Sequence, residues 1–172
     1  MPSPTEVAPA LLGKLLIRRD ARGERRARIV ETEAYLGEND AAAHAAAGLT
    51  PRTAPLFGAP GHAYIFLIYG LHLCLNVSTL PEGQAGGVLF RAAALETADA
   101  DPRALSGPGR LTRGLDIGME FNRHDLTRPG ALVLADDGWR PARIAATPRL
   151  GITRARELPY RYLIVDHPAV SR

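Results

Sequence analysis

Lysine is nearly missing from this chain: Lys14 is the only one, and every other basic residue is arginine or histidine. Schiff-base chemistry needs an amine, and Lys14 lies far in sequence from the motifs discussed below. Little therefore supports covalent lyase chemistry. Arginine forks suit bidentate phosphate contacts, but a GC-rich genome also favours arginine, so the excess alone does not choose. Cysteine is just as scarce. Cys74 stands alone, which excludes an intrachain disulfide and fits a reducing, cytoplasmic compartment. His72 and Cys74 share a strand face, yet no third and fourth ligand follows at sensible spacing. Neither a metal nor a cofactor is expected. There is no Walker A loop and no dinucleotide-binding glycine pattern. The longest apolar stretch, 61–77, is shorter than a bilayer span and is broken by Gly70, His72 and Asn76. MPSPTEVAPA at the start lacks the basic and apolar regions of a secretion signal.

What remains has the composition of a globular protein. The 172 residues fit one domain, 1–172, with hydrophobic residues at 46% and charged residues at 23%. A net charge of +3 is compatible with nucleic acid without pointing to it.

The chain is organised around Arg28 to Gly37, RIVETEAYLG. Its β-branched and aromatic residues predict a strand that stops at Gly37. Alternate side chains then share a face: Glu31, Glu33 and Tyr35 on one side, Val30, Thr32 and Ala34 on the other. Two carboxylates and a ring on one face suit either a solvated edge strand or an active-site wall. A second stretch, Gly61 to Val77, reads GHAYIFLIYGLHLCLNV. It predicts a β-hairpin bending at Tyr69-Gly70, with a tyrosine at the exposed tip.

Elsewhere the signals are plainer. Met1 to Pro4 reads as a loose terminus, and Thr5 as the N-cap of a helix running to Leu12 and closed by Gly13. Lys14 to Arg19 reads as a strand. Arg18, Arg19, Arg22, Arg25, Arg26 and Arg28 read as a solvated hairpin rim. The alanines between Gly37 and Gly48, around Asp40 and His44, predict a short helix. Arg52 sits in a loop, where it could meet a phosphate. Val88 to Ala94 is an apolar strand carrying Arg91, whose partner is a surface acid or the Glu31/Glu33 pair. GPGRLTRGLD, from Gly107, predicts a loop opening a helix, and its N-terminal amides with Arg110 and Arg113 form a candidate phosphate site. Short strands are expected at 131–134, 142–145 and 160–165. Arg140, Arg143, Arg149, Arg154, Arg156, Arg161 and Arg172 make the later part of the chain its most basic flank and its best candidate for a DNA-facing one.

In order and spacing, ETEAYLG, His44, TPR, PGHAYIFLIYG, CLNV, VLFRA and LSGPGRL resemble the alkyladenine (3-methyladenine) DNA glycosylases. The resemblance runs from LLGKLLIRR to RYLIVDHPAVS, essentially the whole chain. It implies a monomeric enzyme that acts on double-stranded DNA containing damaged purines, without cofactor or membrane. Glu33 would be the general base and Arg91 its partner. Tyr35, His44, Tyr64, Phe66 and Asn76 would form the base pocket, and Tyr69 would intercalate. Phe66 departs from the tyrosine that several relatives carry there, and the segment 95–106 is shorter than in relatives.

Two other readings stay open at this level. One is a lesion-binding module without catalysis, against which the intact Glu33 argues. The other is an O-glycoside hydrolase using Glu31 and Glu33, which same-face spacing of about 6.6 Å would allow. The expected fold is α+β: a curved, largely antiparallel sheet with a protruding hairpin and short surrounding helices.

Overall fold

The computed structural model describes residues 2–172. Everything in it is hung on one long strand. After helix α1 (Pro4–Ala10) and strand β1 (Leu15–Asp20), β2 runs for 13 residues from Gly23 to Tyr35. Strands β3 (Ala63–Ile68) and β4 (His72–Ser78) form the hairpin, and β5 (Gly87–Leu95) returns beside β2. Helix α2 (Pro108–Leu115) follows, then the short strands β6 (Leu132–Ala135), β7 (Ile144–Thr147) and β8 (Arg161–Ile164). The sheet order is β3-β4-β5-β2-β1-β6, and every pairing is antiparallel. β5 takes one edge of β2. The other edge is shared: β1 pairs with its first half and β8 with Glu31 to Glu33, while β7 adds outside β8. A sheet that forks in this way must curl, and the architecture is the α+β fold expected.

Two irregularities sit where β2 meets β5. The register steps between Ile29 and Glu31 and again between Glu31 and Thr32, where Arg91 is passed over. Bulges of this kind re-aim side chains. Here they bring Arg91 against both carboxylates of β2. The far face of β2 is core: Val30 and Ala34 are fully buried beside Leu16, Ile65, Leu75 and Phe90, and the Thr32 hydroxyl donates to the Ala8 carbonyl of α1. β2 is thus a central strand covered on both faces, not a solvated edge.

Several local expectations need correction. Met1 lies outside the described residues. Ser3, not Thr5, caps α1, because the Glu6 carboxylate accepts from both the Ser3 N–H and its hydroxyl at 2.7 and 2.9 Å. The helix ends at Ala10 rather than Leu12, just after Pro9. The alanine-rich segment forms two 3₁₀ turns, Gly37–Asn39 and His44–Ala47, instead of an α-helix. Asp40 accepts from the Leu36 and Ala42 N–H groups, so its side chain ties the segment into a local turn and takes the Ala42 N–H that a helix through this segment would have used. The arginine rim is paired rather than merely solvated. Arg25 and Arg22 meet Asp20, Arg28 meets Glu96 and Asp137, and Arg18 is buried against backbone carbonyls. The strand expected at 142–145 is found two residues later, at 144–147.

Gly37 is indispensable to this packing. Its φ is +84°, and an added Cβ would lie 1.9 Å from the Ala85 carbonyl oxygen. Gly37→Ala is expected to cost at least about 2 kcal/mol, which urea unfolding would measure.

Candidate active site

One large cavity, about 850 Å³, opens between the hairpin, the 37–45 segment, the start of α2 and the loop after β7. Its wall includes Tyr35, His44, Tyr64, Phe66, Asn76 and Arg91, six residues singled out from sequence. Tyr69, Arg110 and Arg113 stand around it as well. Glu33 and Arg52 do not line it, although both touch residues that do.

The aromatic wall is built from the hairpin. Tyr64 and Phe66 share a face of β3, with ring centroids 5.5 Å apart. The His44 ring packs edge-on against Phe66 at 4.3 Å, and its Nδ1 shares a 3.0 Å hydrogen bond with the Tyr64 hydroxyl. Burial and the nearby Arg52 charge hold His44 below its ordinary pKa, which favours the uncharged imidazole. The Arg52 guanidinium lies 5.7 Å from the Phe66 ring centre. Asn76, directly across from Tyr64 in the hairpin, donates to the Tyr64 carbonyl at 3.1 Å. This is the within-sheet hydrogen bond, and it leaves the rest of the amide at the cavity wall. Beside it, Cys74 is buried, and desolvation pushes its thiol up to about 11. It is a neutral packing group there.

The opposite side belongs to β2. Glu31 and Glu33 are both fully buried, yet their surroundings differ. Glu31 is saturated with donors. Arg161 reaches it at 2.5 Å, the Ser171 N–H and hydroxyl at 2.7 and 3.0 Å, and Arg91 at 3.3 Å. Glu33 has mostly neutral partners: the Leu150 N–H and the Tyr35 hydroxyl, both at 2.9 Å, with Arg91 more distant at 3.5 Å. Burial therefore prevails over Arg91 and the two hydrogen bonds, and the Glu33 carboxyl lies above the ordinary range. Burial and the Glu33 charge push the Tyr35 phenol up in turn, so it stays a donor. Two buried carboxylates with such different partners, one held by arginines and the other mostly by neutral donors, do different work. Glu31 is a structural anchor, which removes the basis for a carboxylate pair of the O-glycosidase kind. Glu31→Gln should leave Arg161 and Arg91 short of a buried countercharge and cost about 3–5 kcal/mol by chemical denaturation.

The hairpin tip is an I′-type turn, closed by the Leu71 N–H donating to the Ile68 carbonyl at 3.1 Å. Tyr69 and Gly70 have φ of +53° and +68°. Tyr69 is 82% exposed, flanked by Leu71 at 78% and Leu67 at 51%. A bulky non-glycine residue in the left-handed region is uncommon, and burial does not explain this ring. At the other rim, α2 approaches so closely that a Cβ on Gly109 would lie 2.9 Å from the His72 side chain.

A sequence model of the methylpurine-DNA glycosylase family matches residues 1–168. The chain belongs to that family. A provisionally named 3-methyladenine DNA glycosylase of Koribacter versatilis is 49% identical over 98% of this chain and 88% of its own length. Proteins of the same provisional name from Chlorobaculum parvum and Methanocella arvoryzae are 44% and 41% identical, covering 96% and 97% of this chain and 85% and 90% of theirs. This methylpurine-DNA glycosylase relative is accordingly an enzyme, a DNA glycosylase.

Three participants at the site escaped the sequence reading. Asp40 and Arg149 form a buried ion pair, and the Leu150 N–H holds Glu33. Arg149 and Arg161 belong to the interior rather than to a DNA-facing flank, whereas Arg154 does reach the cavity. No local pattern marks any of them, since each works through a partner more than 100 residues away. Among the described residues, no three His, Cys, Asp or Glu side chains converge as a metal site, and no helix is long and apolar enough to cross a membrane. Lys14 pairs with Asp136 at 2.6 Å and does not line the cavity.

Proposed function

We propose that the protein excises alkylated or deaminated purines from duplex DNA, working as a monomer in the cytoplasm, by base flipping and attack of a Glu33-activated water. The observation that carries this reading is the contrast between Glu31 and Glu33. One buried carboxylate is neutralised. The other is held mostly by neutral donors, with a raised pKa, immediately behind a cavity with an aromatic wall and ample room for a purine.

A flipped purine would stack between Tyr35 and the His44–Phe66 pair, with its edge on Asn76. The hydroxyl-free Phe66 ring still stacks. Glu33 has no exposed surface in the free enzyme. Water therefore reaches it only when a partner gives way, and the Tyr35 hydroxyl can yield as its ring takes up the base. Arg91, which lines the cavity and touches Glu33, orients that water for attack at C1′. The bond from the sugar to the purine breaks as the water oxygen adds, and Glu33 accepts the proton. Alkylated purines leave readily because alkylation has made them cationic. The α2 amides with Arg110 and Arg113, together with Arg52, are candidate phosphate contacts.

The direct test is single-turnover release of bases from duplexes carrying alkylated adenine, alkylated guanine, hypoxanthine or ethenoadenine. Tight lesion binding without release by the wild type would favour the non-catalytic module. Release should continue in chelator, and an ion-dependent loss would show that a metal takes part.

Two further results are expected. Release of a cationic base should rise with pH as Glu33 loses its proton, with a midpoint above the ordinary carboxylate value of about 4.3. A midpoint at or below that value would remove Glu33 as the base. Lys14→Ala should release bases at the wild-type rate, leaving an intact strand with an abasic site. Borohydride should trap no covalent adduct through Lys14, and an adduct there would contradict the hydrolytic route.

A further inference from the structure

Asp40 and Arg149 form the most deeply buried ion pair among the described residues, with side chains 2% and 0% exposed. The guanidinium bridges both carboxylate oxygens, at 2.5 and 2.8 Å, and also donates to the Ala34 carbonyl of β2 at 2.9 Å. Such a pair is an expensive way to hold a fold, because apolar replacements of similar volume are often neutral or stabilising. Here the cost is increased, since the Arg149 Nε is buried without any partner. The position of the pair suggests what it does.

Each end of the pair governs a different wall of the cavity. Asp40 accepts the Leu36 and Ala42 N–H groups at 3.2 and 3.0 Å, and so sets the course of the segment that leads to His44. The Arg149 guanidinium lies between two rings, 4.7 Å from the centre of Tyr35 and 5.4 Å from that of Tyr160. Tyr35 lines the cavity and Arg149 does not, so the cation backs the ring from behind. The next residue, Leu150, donates its N–H to Glu33.

We infer that Asp40 and Arg149 are positioning residues that lock the two stacking walls and the Glu33 carboxylate into one geometry. The inference rests on the proposed glycosylase reading and deepens it. Through this pair, the spacing between Tyr35 and His44 is tied to the hydrogen bond that Leu150 gives Glu33. Without it, the segment beginning at Leu150 drifts, Glu33 loses its N–H donor, and Tyr35 loses the surface behind it.

Two variants test this: Asp40→Asn, and the apolar pair Asp40→Leu with Arg149→Met. Each is assayed by single-turnover release on alkylated duplex, by melting, and by fluorescence of 2-aminopurine beside the lesion to report flipping. The double variant should melt below the wild type, because the Leu36 and Ala42 N–H groups and the Ala34 carbonyl lose their partners, and its folded form should release bases at least about tenfold more slowly, with a weaker flipping signal. In Asp40→Asn the sign of the pH effect discriminates. Glu33 faces Arg91 from β5, Cys74 from β4, Arg149 from the loop, and Tyr35 and Glu31 on its own strand. Removing the Asp40 charge leaves the Arg149 cation less compensated, which by charge alone would lower the acid limb of the rate profile. Loss of the Leu150 N–H raises it. An upward shift supports positioning. A downward shift, or a folded double variant with wild-type release and flipping, overturns it. Should the double variant fail to fold, the direction of the Asp40→Asn shift decides. A wild type that releases no base from any lesion would instead sink the glycosylase reading, and the inference with it.

Discussion

Glu33→Gln is expected to abolish base release, by about a thousandfold in single turnover, while lesion DNA is still bound. General-base catalysis contributes typically about 10²–10⁴-fold, and burial, by raising the Glu33 pKa, makes its carboxylate a stronger base. Glutamine keeps the volume and can still accept the Leu150 N–H, so the fold should tolerate it. It cannot take a proton. The informative comparison is with Glu31→Gln, one turn of the strand pleat away on the same face. That variant should lose stability, because four donors converge on Glu31. Its folded fraction should retain most of the chemistry. If Glu33→Gln releases bases at the wild-type rate, Glu33 is not the base, whatever its pKa.

Tyr69→Ala should weaken flipping without weakening the fold. Unstacking a nucleotide costs a few kcal/mol, and a ring inserted in the vacancy offsets part of that cost. Base–aromatic stacking is worth about 1–3 kcal/mol, so the flipped population should fall about 5- to 150-fold. Tyr69→Phe and Tyr69→Trp should preserve most of it, since the plane matters more than the hydroxyl. The defect should shrink opposite a mismatch, where extrusion costs less. The exposure of the ring separates this from an ordinary packing role. At 82% exposed, Tyr69 has little native contact to lose, and its truncation should change stability by no more than about 0.5 kcal/mol. A marked drop in melting temperature with normal flipping by the folded variant would refute intercalation.

Period and punctuation made much of this legible in the sequence. The alternation of Glu31, Glu33 and Tyr35 placed them on one face, and the contacts of Arg91 with both acids and of Tyr35 with Glu33 agree. Tyr69-Gly70 marked the hairpin tip because only a turn explains that pair between two apolar strands. Arg91 within an apolar run asked for an acidic partner, at the surface or in the Glu31/Glu33 pair, and the pair provides it. Most residues singled out for the site line one cavity, apart from Glu33 behind its wall and Arg52 beside Phe66. What stayed hidden is what depends on distant partners. Nothing in HAAA or in ENDAAA shows that Asp40 will meet Arg149, and a basic tally cannot distinguish an arginine in the core from one at the surface. Helix propensity misled at 37–48 for the same reason: a tertiary ion pair claimed the backbone donors first.

The forked edge of β2 also bears on biosynthesis. β2 and β5 can associate once about half of the chain has left the ribosome. At that stage Glu31 has Arg91 beside it, but Arg161 and Ser171, 130 and 140 residues downstream, do not yet exist. Glu33 likewise waits for Leu150, 117 residues on. A nascent chain therefore holds half-compensated acids in what will become its interior, and dehydrating them early would be unfavourable. Closure of that half of the sheet belongs after β8 and Ser171 beyond it have been translated. A ribosome-bound intermediate then has no formed pocket with which to engage nucleic acid, and competence arrives late and all at once.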